Sequence, residues 1–403
     1  MKVLILCGVF AAENEKEVIE NSKSYVEFSA NIFQKKLIDG FNRTECDLSV
    51  ISAPFIGAYP LRCKKWFFKG FKTAQNKYRY INFINIWGIR NFSRSIAAKK
   101  AVKNFIADRD KNKLIVVYSA HTPFLQAAVY AKRKDPSIKI CLFSPDLPNY
   151  MNLDANRSKI YDFAKKYDIS LMHNLMSHVD AFVILTEHMK ECLPIYDKPY
   201  IVAEGIFSDC AEYETIKKEN ETDGITRIVY AGKLNEKFGI KNLVDAFSLL
   251  TDINYRLILC GTGDCSDYVS NASEKDKRII YTGQITPEES KNWQMRANVL
   301  INPRENNEEY TKYSFPSKNI DYLMTGKPVV AYMLDGIPKI YENFLYVIDE
   351  NKSPAYAISE AIERAVKENA DCGQERFLSF MKYAEEKLSA HKIANSIVKM
   401  CFK

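Results

Sequence analysis

The stretch Arg227-Ile-Val-Tyr-Ala-Gly opens a series of short apolar segments that decides the fold of this chain. Two later segments repeat its pattern, Arg256-Leu-Ile-Leu-Cys-Gly and Arg278-Ile-Ile-Tyr-Thr-Gly. Continuous Val, Ile and Leu runs are typical of parallel strands buried on both faces. A glycine just past such a strand lets the backbone approach a ligand closely, and ligands of open α/β sheets bind at the carboxyl ends of the strands. The series therefore predicts a doubly wound, Rossmann-like sheet with a ligand site at one edge.

The first half of the chain carries a similar series. Its apolar segments of strand length alternate with amphipathic, helix-like stretches, and they are Val3–Cys7, Leu48–Ser52, Leu114–Tyr118, Ile138–Phe143, Ala181–Leu185 and Tyr200–Val202. This alternation predicts a second parallel sheet. The length of 403 residues is enough for two such domains. We expect them to face each other across a cleft.

Composition shifts predict the domain boundaries. A polar, charged segment separates the two series, and the last thirty residues are helix-like throughout. We predict an N-terminal Rossmann-like domain over residues 1–206 and a linker over 207–225. A C-terminal Rossmann-like domain would then span 226–385, and a final helix over 386–403 can pack back on the N-terminal domain.

Cysteine usage and charge limit the class of protein. Ten cysteines without any Cys-x-x-Cys pair are typical of a protein from a reducing cytoplasm and not of a zinc ribbon. No His, Asp and Glu cluster has metal-ligand spacing, so no metal is expected. The uncharged stretch 114–131 is interrupted by Ser119, His121 and Pro123, which favours a strand, a loop and a helix over a membrane span.

The segment Tyr313-Ser-Phe-Pro-Ser-Lys predicts a phosphate site. Ser317 is a favourable N-cap residue, so a short helix begins there. The free backbone amides at that helix start, together with Lys318, can bind a phosphate group. Asp321, one turn into the helix, can accept hydrogen bonds from a ribose diol. An ordinary capped helix remains the alternative.

Two glycine loops add to this interpretation. In Gly232-Lys-Leu-Asn-Glu-Lys-Phe-Gly, the cations Lys233 and Lys237 can neutralise a diphosphate, although loop lysines are more often simply solvated. The strand end Gly261-Thr-Gly is a weaker signal, because Ser266 stands where a dinucleotide fingerprint needs its third glycine. A nicotinamide-dependent dehydrogenase is disfavoured for that reason.

Together these segments resemble retaining glycosyltransferases of the two-domain GT-B architecture, in particular the group called family four. The resemblance covers nearly the whole chain, and Ser314-Phe-Pro-Ser-Lys is similar to a variant of bacterial capsule and exopolysaccharide enzymes. It implies a metal-independent, cofactor-free hexosyltransferase with an acceptor-side N-terminal domain and a C-terminal domain that binds a nucleotide-sugar. It also implies roles for individual residues: diphosphate binding by Lys233, Lys237, Ser314, Pro316, Ser317 and Lys318, ribose binding by Asp321, and a nucleotide loop formed by Gly232, Gly261, Gly263 and Gln284.

The sequence departs from the family pattern in two places. Tyr313 stands where many members have a glutamate that contacts the donor sugar, so Glu308 or Glu309 would have to replace it. Phe238 stands directly before Gly239, where a lysine is common, which leaves Lys237 one residue early.

Three residues at strand ends of the first domain are further candidates. His121 follows a strand where the family often places a histidine near the donor sugar, and we expect it to be catalytic. A capping or loop histidine is the alternative. Gly8 follows the first strand and Asp146 follows the strand after that of His121. Both would lie on the acceptor side, although a turn residue is equally compatible with Asp146.

Residues 48–107 contain twelve basic and twelve aromatic residues but no Asp or Glu. Basic residues interleaved with aromatic ones can bind an anionic lipid surface or single-stranded nucleic acid, or they can simply cover apolar packing with their stems. The resemblance implies a polyprenyl-diphosphate-linked acceptor, which favours a membrane over nucleic acid. The expected membrane contacts are Lys64, Lys65, Trp66, Phe67 and Lys69.

The sequence thus predicts an enzyme that moves a sugar from a nucleotide-sugar to a lipid-linked glycan in surface polysaccharide synthesis, with retained configuration. Its expected location is the cytoplasm, peripheral to the inner face of the cell membrane, and no nucleic-acid partner is expected. The alternative is a non-catalytic protein that binds nucleic acid or anionic lipid on a Rossmann-like scaffold.

Overall fold

The computed structural model describes residues 1–10, 12–23, 26–73, 78–148, 159–207 and 223–402. The chain divides into two compact units. Unit 1 comprises Met1–Ser208 and Lys387–Lys403, and unit 2 comprises Asp209–Glu386. The linker expected over 207–225 lies almost entirely outside the described residues.

Unit 1 is built on a seven-stranded parallel sheet with the strand order β4-β2-β1-β6-β7-β8-β9. These strands are β1 (Lys2–Cys7), β2 (Asp47–Ser52), β4 (Tyr78–Tyr80), β6 (Lys113–Tyr118), β7 (Lys139–Ser144), β8 (Ala181–Ile184) and β9 (Tyr200–Val202). A separate antiparallel pair joins β3 (Phe67–Phe68) to β5 (Phe83–Ile84). Every residue of β6 is buried, as expected for a central strand covered on both faces.

Helices connect these strands. They are α1 (Ala12–Asn21), α2 (Phe28–Asn42), α3 (Arg90–Ala101), α4 (Lys103–Ala107), α5 (Thr122–Lys134) and α6 (Lys159–Met176), with a 3₁₀ turn at Glu187–Glu191. The chain leaves β1 in one direction and returns to its other side at β6. This reversal places a topological switch point, the usual ligand position in such sheets, at the carboxyl ends of β1 and β6.

Unit 2 contains a six-stranded parallel sheet with the order β12-β11-β10-β13-β14-β15. The strands are β10 (Thr226–Ala231), β11 (Tyr255–Cys260), β12 (Ile279–Gly283), β13 (Val299–Asn302), β14 (Val329–Ala331) and β15 (Tyr346–Val347). Its helices are α7 (Ile240–Leu249), α8 (Ser266–Lys275), α9 (Pro287–Met295), α10 (Ser317–Leu323) and α11 (Pro354–Tyr383), with short turns at Glu236–Phe238, Glu309–Tyr313 and Lys339–Asn343. The switch point lies between β10 and β13.

The last helix, α12 (Ala390–Phe402), packs in unit 1. It contacts α2, β7, β8 and β9. A Cβ on Gly40 of α2 would lie 2.2 Å from the Ala390 carbonyl oxygen, so glycine permits this close approach. The two Rossmann-like parallel sheets and the C-terminal helices confirm the predicted fold class. No helix in the described ranges is long and apolar enough to cross a membrane.

Candidate functional site

Hydrogen bonds join the carboxyl ends of three strands in unit 2. The Gly232 amide donates to the Cys260 carbonyl at 2.8 Å, and the Gly261 amide donates to the Gly283 carbonyl at 2.8 Å. Gly261 has a φ of 131°, and a Cβ there would lie 1.9 Å from the Gly232 carbonyl oxygen. A Cβ on Gly263 would lie 2.3 Å from Asn235 Oδ1. The structure therefore brings the predicted glycines 232, 261 and 263 together, and only glycine fits at 261.

Helix α10 begins at Ser317, but the expected N-cap role of this residue is wrong. Pro316 is the N-cap, because its backbone is extended, with φ −73° and ψ 97°, and Ser317 is already helical. No side chain caps this end. A helix of only seven residues has a weak dipole, so side-chain cations must supply most of the attraction for an anion at this end.

The Lys318 ammonium lies directly over Gly232. A Cβ on Gly232 would lie 2.5 Å from Lys318 Nζ, and this Nζ is 5.8 Å from the centre of the Tyr230 ring. Burial lowers the pKa of Lys318; the charges of Lys233 and Arg304 lower it further, and only Asp321 opposes them. The three cations therefore share one electropositive site at the switch point of the sheet.

Arg304 is the member of this site that the sequence did not predict. It follows β13, and its guanidinium lies 4.8 Å from the Tyr310 ring centre and 5.8 Å from that of Phe238. An Nη donates to Ser314 Oγ at 3.1 Å, while its Nε is buried and has no hydrogen-bond partner. Burial lowers the pKa of Arg304. Its place just past a strand end, after Asn302-Pro303, was the available sequence signal.

The other predicted donor-side residues line the exposed rim. Lys237 is exposed, and its Nζ lies 5.4 Å from the centre of the same Phe238 ring that Arg304 faces. Lys233 is exposed on its loop, and its carbonyl accepts from Tyr230 Oη at 2.8 Å. Gln284 is exposed and accepts from Thr262 Oγ1 at 3.3 Å, and Asp321 is exposed on α10.

The position of the missing family glutamate is filled by an aromatic ring. Tyr313 is 7% exposed and packs beneath the Lys312 ammonium, 4.8 Å from the ring centre. Glu308 and Glu309 are both exposed, and Glu309 lies 3.8 Å from Lys312 Nζ. The replacement of the missing acid by one of these two glutamates stays a prediction.

In unit 1, Gly8 and His121 meet at one aromatic ring. A Cβ on Gly8 would lie 2.3 Å from the Phe55 ring, and the His121 ring centre is 5.3 Å from that of Phe55. His121 is the N-cap residue of α5, with φ −99° and ψ 111°. Burial and the charges of Arg94 and Arg90 lower its pKa well below the usual value, so its imidazole is neutral.

Asp146 is exposed after β7, and its main-chain carbonyl accepts from Ser144 Oγ at 2.9 Å. The structure thus brings Gly8 and His121 into one cluster. The acceptor-side role of Asp146 stays a prediction.

Two of the lysines that were predicted to contact a membrane bind other residues of unit 1. Lys64 Nζ donates to the Glu20 carbonyl at 2.9 Å, and Lys65 forms an ion pair with Glu17. Phe67 is paired in β3, whereas Trp66 is 55% exposed and Lys69 is exposed. Two of the three expected cations therefore contact α1.

Residues 225–368 match the family model described as glycosyl transferases group 1. This segment carries every donor-side residue described above. The chain is a nucleotide-sugar-dependent glycosyltransferase. The non-catalytic protein considered from the sequence is therefore not supported.

Solved structures share the whole fold of this glycosyltransferase. The α,α-trehalose-phosphate synthase (UDP-forming) from Burkholderia xenovorans has a TM-score of 0.64 at 10% identity, with 100% of each chain covered. Sucrose-phosphate synthase from Thermosynechococcus elongatus has a TM-score of 0.59 at 14% identity, with 99% of this chain and 98% of that one covered. Anabaena HepE, solved with UDP, has a TM-score of 0.57 at 12% identity, with 99% of both chains covered. At these identities the likeness shows the GT-B fold. No curated protein matches the chain.

Proposed function

We propose that this glycosyltransferase moves a sugar from a nucleoside-diphosphate sugar to a hydroxyl of a polyprenyl-diphosphate-linked glycan, in capsule or exopolysaccharide synthesis. The observation that carries the donor half of this proposal is the electropositive site around Lys318, Lys233 and Arg304, placed over Gly232 at the carboxyl edge of the unit 2 sheet. Three cations suit the two phosphates of the donor.

The chemistry we propose is electrostatic. During transfer, the bond between the anomeric carbon and the phosphate oxygen breaks, and negative charge develops on the departing diphosphate. Lys318 and Arg304 stabilise that charge, and they do so more strongly than in water because both are partly buried. No metal or other cofactor is then required to supply positive charge.

We further propose that the configuration is retained. The acceptor oxygen attacks the anomeric carbon on the face that the diphosphate leaves, and the departing phosphate oxygen takes the acceptor proton. Asp321 would bind the ribose hydroxyls, Gln284 would line the nucleotide loop, and His121 would act on the sugar.

A screen of nucleotide-sugars tests the donor proposal. We expect one donor to be consumed, and its nucleoside diphosphate to raise the melting temperature of the protein, whereas an oligonucleotide of equal charge should not. Stabilisation by the oligonucleotide alone would contradict the proposal. Extraction of a radiolabelled product into organic solvent then tests whether the acceptor is lipid-linked.

We also propose that unit 1 contacts the inner face of the cell membrane, through an apolar face that shares only Trp66 with the expected contacts. This apolar face consists of Leu61, Trp66, Trp87, Ile89, Phe92 and Ile96, all about half exposed or more. Phe92 and Ile96 point outward from α3, whose buried side carries Arg94, Ser95, Ala98 and Ala101.

The parts of the apolar face are held together by hydrogen bonds. The backbone N–H of Asn85 donates to the Trp66 carbonyl at 2.6 Å, and the backbone N–H of Ile84 donates to Ser93 Oγ of α3 at 2.8 Å. Exposed lysines 69, 100 and 103 belong to the same acid-free stretch. Apolar side chains inserted among headgroups, with lysines near anionic lipid, are the usual basis of peripheral binding.

Vesicle flotation tests this membrane contact. The triple variant Trp87→Ser, Phe92→Ser, Ile96→Ser should bind vesicles containing phosphatidylglycerol at least tenfold more weakly than the wild type. The control pair Leu249→Ser, Ile253→Ser removes apolar side chains that are 52% and 76% exposed in unit 2, and it should leave flotation unchanged. Equal flotation of the triple variant and the wild type would contradict the proposal.

A further inference from the structure

Two buried asparagines join helix α10 to the sheet of unit 2. Asn302 is the last residue of β13 and is 6% exposed, while Asn319, in the first turn of α10, is fully buried. Asn302 Nδ2 donates to Asn319 Oδ1 at 2.7 Å. The Asn319 Nδ2 is also buried, and it has no hydrogen-bond partner within the described part of the chain. A buried N–H group without an acceptor lowers stability, so packing alone does not explain an asparagine at position 319.

A buried tyrosine makes a second polar contact between the same helix and the sheet. Tyr322 is 1% exposed, and its Oη accepts from the backbone N–H of Ala231 at 3.0 Å and donates to the Ala231 carbonyl at 3.3 Å. Ala231 is the last residue of β10. Asn319 and Tyr322 are three residues apart, so they lie on one face of α10. This face is therefore fixed by hydrogen bonds to both strands that flank the switch point.

The asparagine pair lies beside two of the cations of the donor site. Arg304 follows Asn302 by two residues, and Lys318 directly precedes Asn319. A hydrogen bond depends on direction as well as distance, whereas an apolar contact does not. The pair therefore limits how far α10 can slide or rotate on β13, and with it the position of the Lys318 ammonium over Gly232.

We propose that Asn302, Asn319 and Tyr322 are positioning residues of the donor site. They hold α10 in the one register in which the Lys318 ammonium lies over Gly232, and Asn319 itself is too deeply buried to contact a donor. Buried hydrogen bonds of this kind can select one arrangement at a cost in stability. This role rests on the proposed function, because it acts through Lys318 as a ligand of the donor diphosphate.

Replacement of both asparagines by leucine separates positioning from support of the fold. Leucine has nearly the shape of asparagine, and the double variant Asn302→Leu, Asn319→Leu leaves neither amide unpaired. We therefore expect its melting temperature to equal or exceed that of the wild type. In calorimetric titration it should nevertheless bind UDP, or GDP if the wild type binds that nucleotide instead, roughly tenfold more weakly. A pair that only supported the fold would show wild-type affinity in a variant of wild-type stability.

The matched control is Asn298→Leu. Asn298 stands just before β13, and its Oδ1 accepts from the backbone N–H of Arg227 in β10 at 2.8 Å. It therefore links the same two strands, but at the amino edge of the sheet. We expect Asn298→Leu to lower the melting temperature and to leave the affinity for the nucleotide unchanged, which is the opposite of the result expected for the leucine pair.

A double-mutant cycle with Lys318→Met identifies the group through which the pair acts. In that background the leucine pair should weaken binding less than about twofold further, because the ammonium that it positions is already absent. If the leucine pair does not fold, Tyr322→Phe, which removes only a hydroxyl, decides by the same two measurements. It should bind the nucleotide roughly fivefold more weakly by itself and add no loss to Lys318→Met.

Wild-type affinity of the folded leucine pair, or of Tyr322→Phe where that variant decides, would overturn the positioning role and leave the donor site standing. The same conclusion follows from an equal loss of affinity in Asn298→Leu, or from an undiminished loss in the Lys318→Met background. Unchanged affinity of Lys318→Met by itself would overturn the donor site, and this role with it.

Discussion

Replacement of Lys318 by methionine tests the donor site most directly. Methionine keeps most of the side-chain volume and removes the ammonium that lies over Gly232. A charge-assisted hydrogen bond contributes about 1.5–3 kcal/mol, and about 1.4 kcal/mol corresponds to a factor of ten in affinity. The Lys318→Met variant should therefore bind the nucleoside diphosphate about 10- to 150-fold more weakly.

Folding should survive this change. Burial and the neighbouring cations lower the pKa of Lys318, so the folded protein disfavours its charge, and removal of the charge should leave the melting temperature equal or slightly higher. The matched control is Lys327→Met. Lys327 is half-buried in the same unit, and burial lowers its pKa too, but it precedes β14 and so belongs to the amino edge of the sheet.

Calorimetric titration with the nucleoside diphosphate measures affinity, and kcat/KM for the identified donor measures the effect on turnover. We expect a loss in both quantities for Lys318→Met and none for Lys327→Met. The reasoning would be refuted if Lys318→Met bound the nucleotide as tightly as the wild type, or if the two variants lost affinity equally.

Three other outcomes follow from the same structure. Arg304→Met should reduce kcat/KM at least tenfold with little loss of stability, and an unchanged kcat/KM would exclude Arg304 from the site. Gly261→Ala should lower the melting temperature much more than Gly283→Ala, because both glycines have positive φ but only the Cβ at 261 would meet backbone, at 1.9 Å, whereas nothing lies within 4 Å at 283; equal losses would contradict this. Because the pKa of His121 is lowered on folding, the unfolded chain binds the proton more readily, so stability should fall as pH drops below about 6.5. His121→Phe should remove that part of the loss in urea unfolding between pH 5 and 7.5, and parallel pH curves for the two proteins would disagree with the buried, neutral imidazole.

The fold could be predicted because each strand is visible in the sequence as a short, continuous apolar run. Runs such as Val3–Cys7 and Arg227–Ala231 are apolar for their full length, and a parallel sheet is the structure that buries both faces of such a run. The glycines that follow the strands could be placed together for a related reason. The carboxyl ends of parallel strands lie at the same edge of the sheet, so Gly232 and Gly261 are neighbours whatever the conformation of the loops that follow them.

The parts of the site that escaped prediction depend on contacts distant in sequence. Arg304 joins the donor site because its guanidinium packs on Tyr310 and Phe238, and no local pattern shows that packing. Ser317 was predicted to be the N-cap residue, but it is the first residue of the helix. Pro316 is the N-cap, because it takes the extended conformation that an N-cap requires. The partners of Lys64 and Lys65 come from α1, more than forty residues away.

Helix α3 departs from the usual pattern of burial. Periodic apolar residues usually face the core, yet here Phe92 and Ile96 face outward, while Arg94 and Ser95 face inward. A sequence pattern fixes which residues share a face of a helix but not which face the rest of the chain covers. The apolar face proposed for unit 1 depends on this outward orientation of Phe92 and Ile96.

The return of α12 to unit 1 has a practical consequence for anyone who wishes to study the halves separately. A clone that stops at residue 386 would strip the sheet of the helix that covers β7, β8 and β9, and insoluble material would be the expected result. The first half should instead be expressed with residues 387–403 spliced back through a short flexible tether, while residues 223–386 can be cloned as one uninterrupted piece.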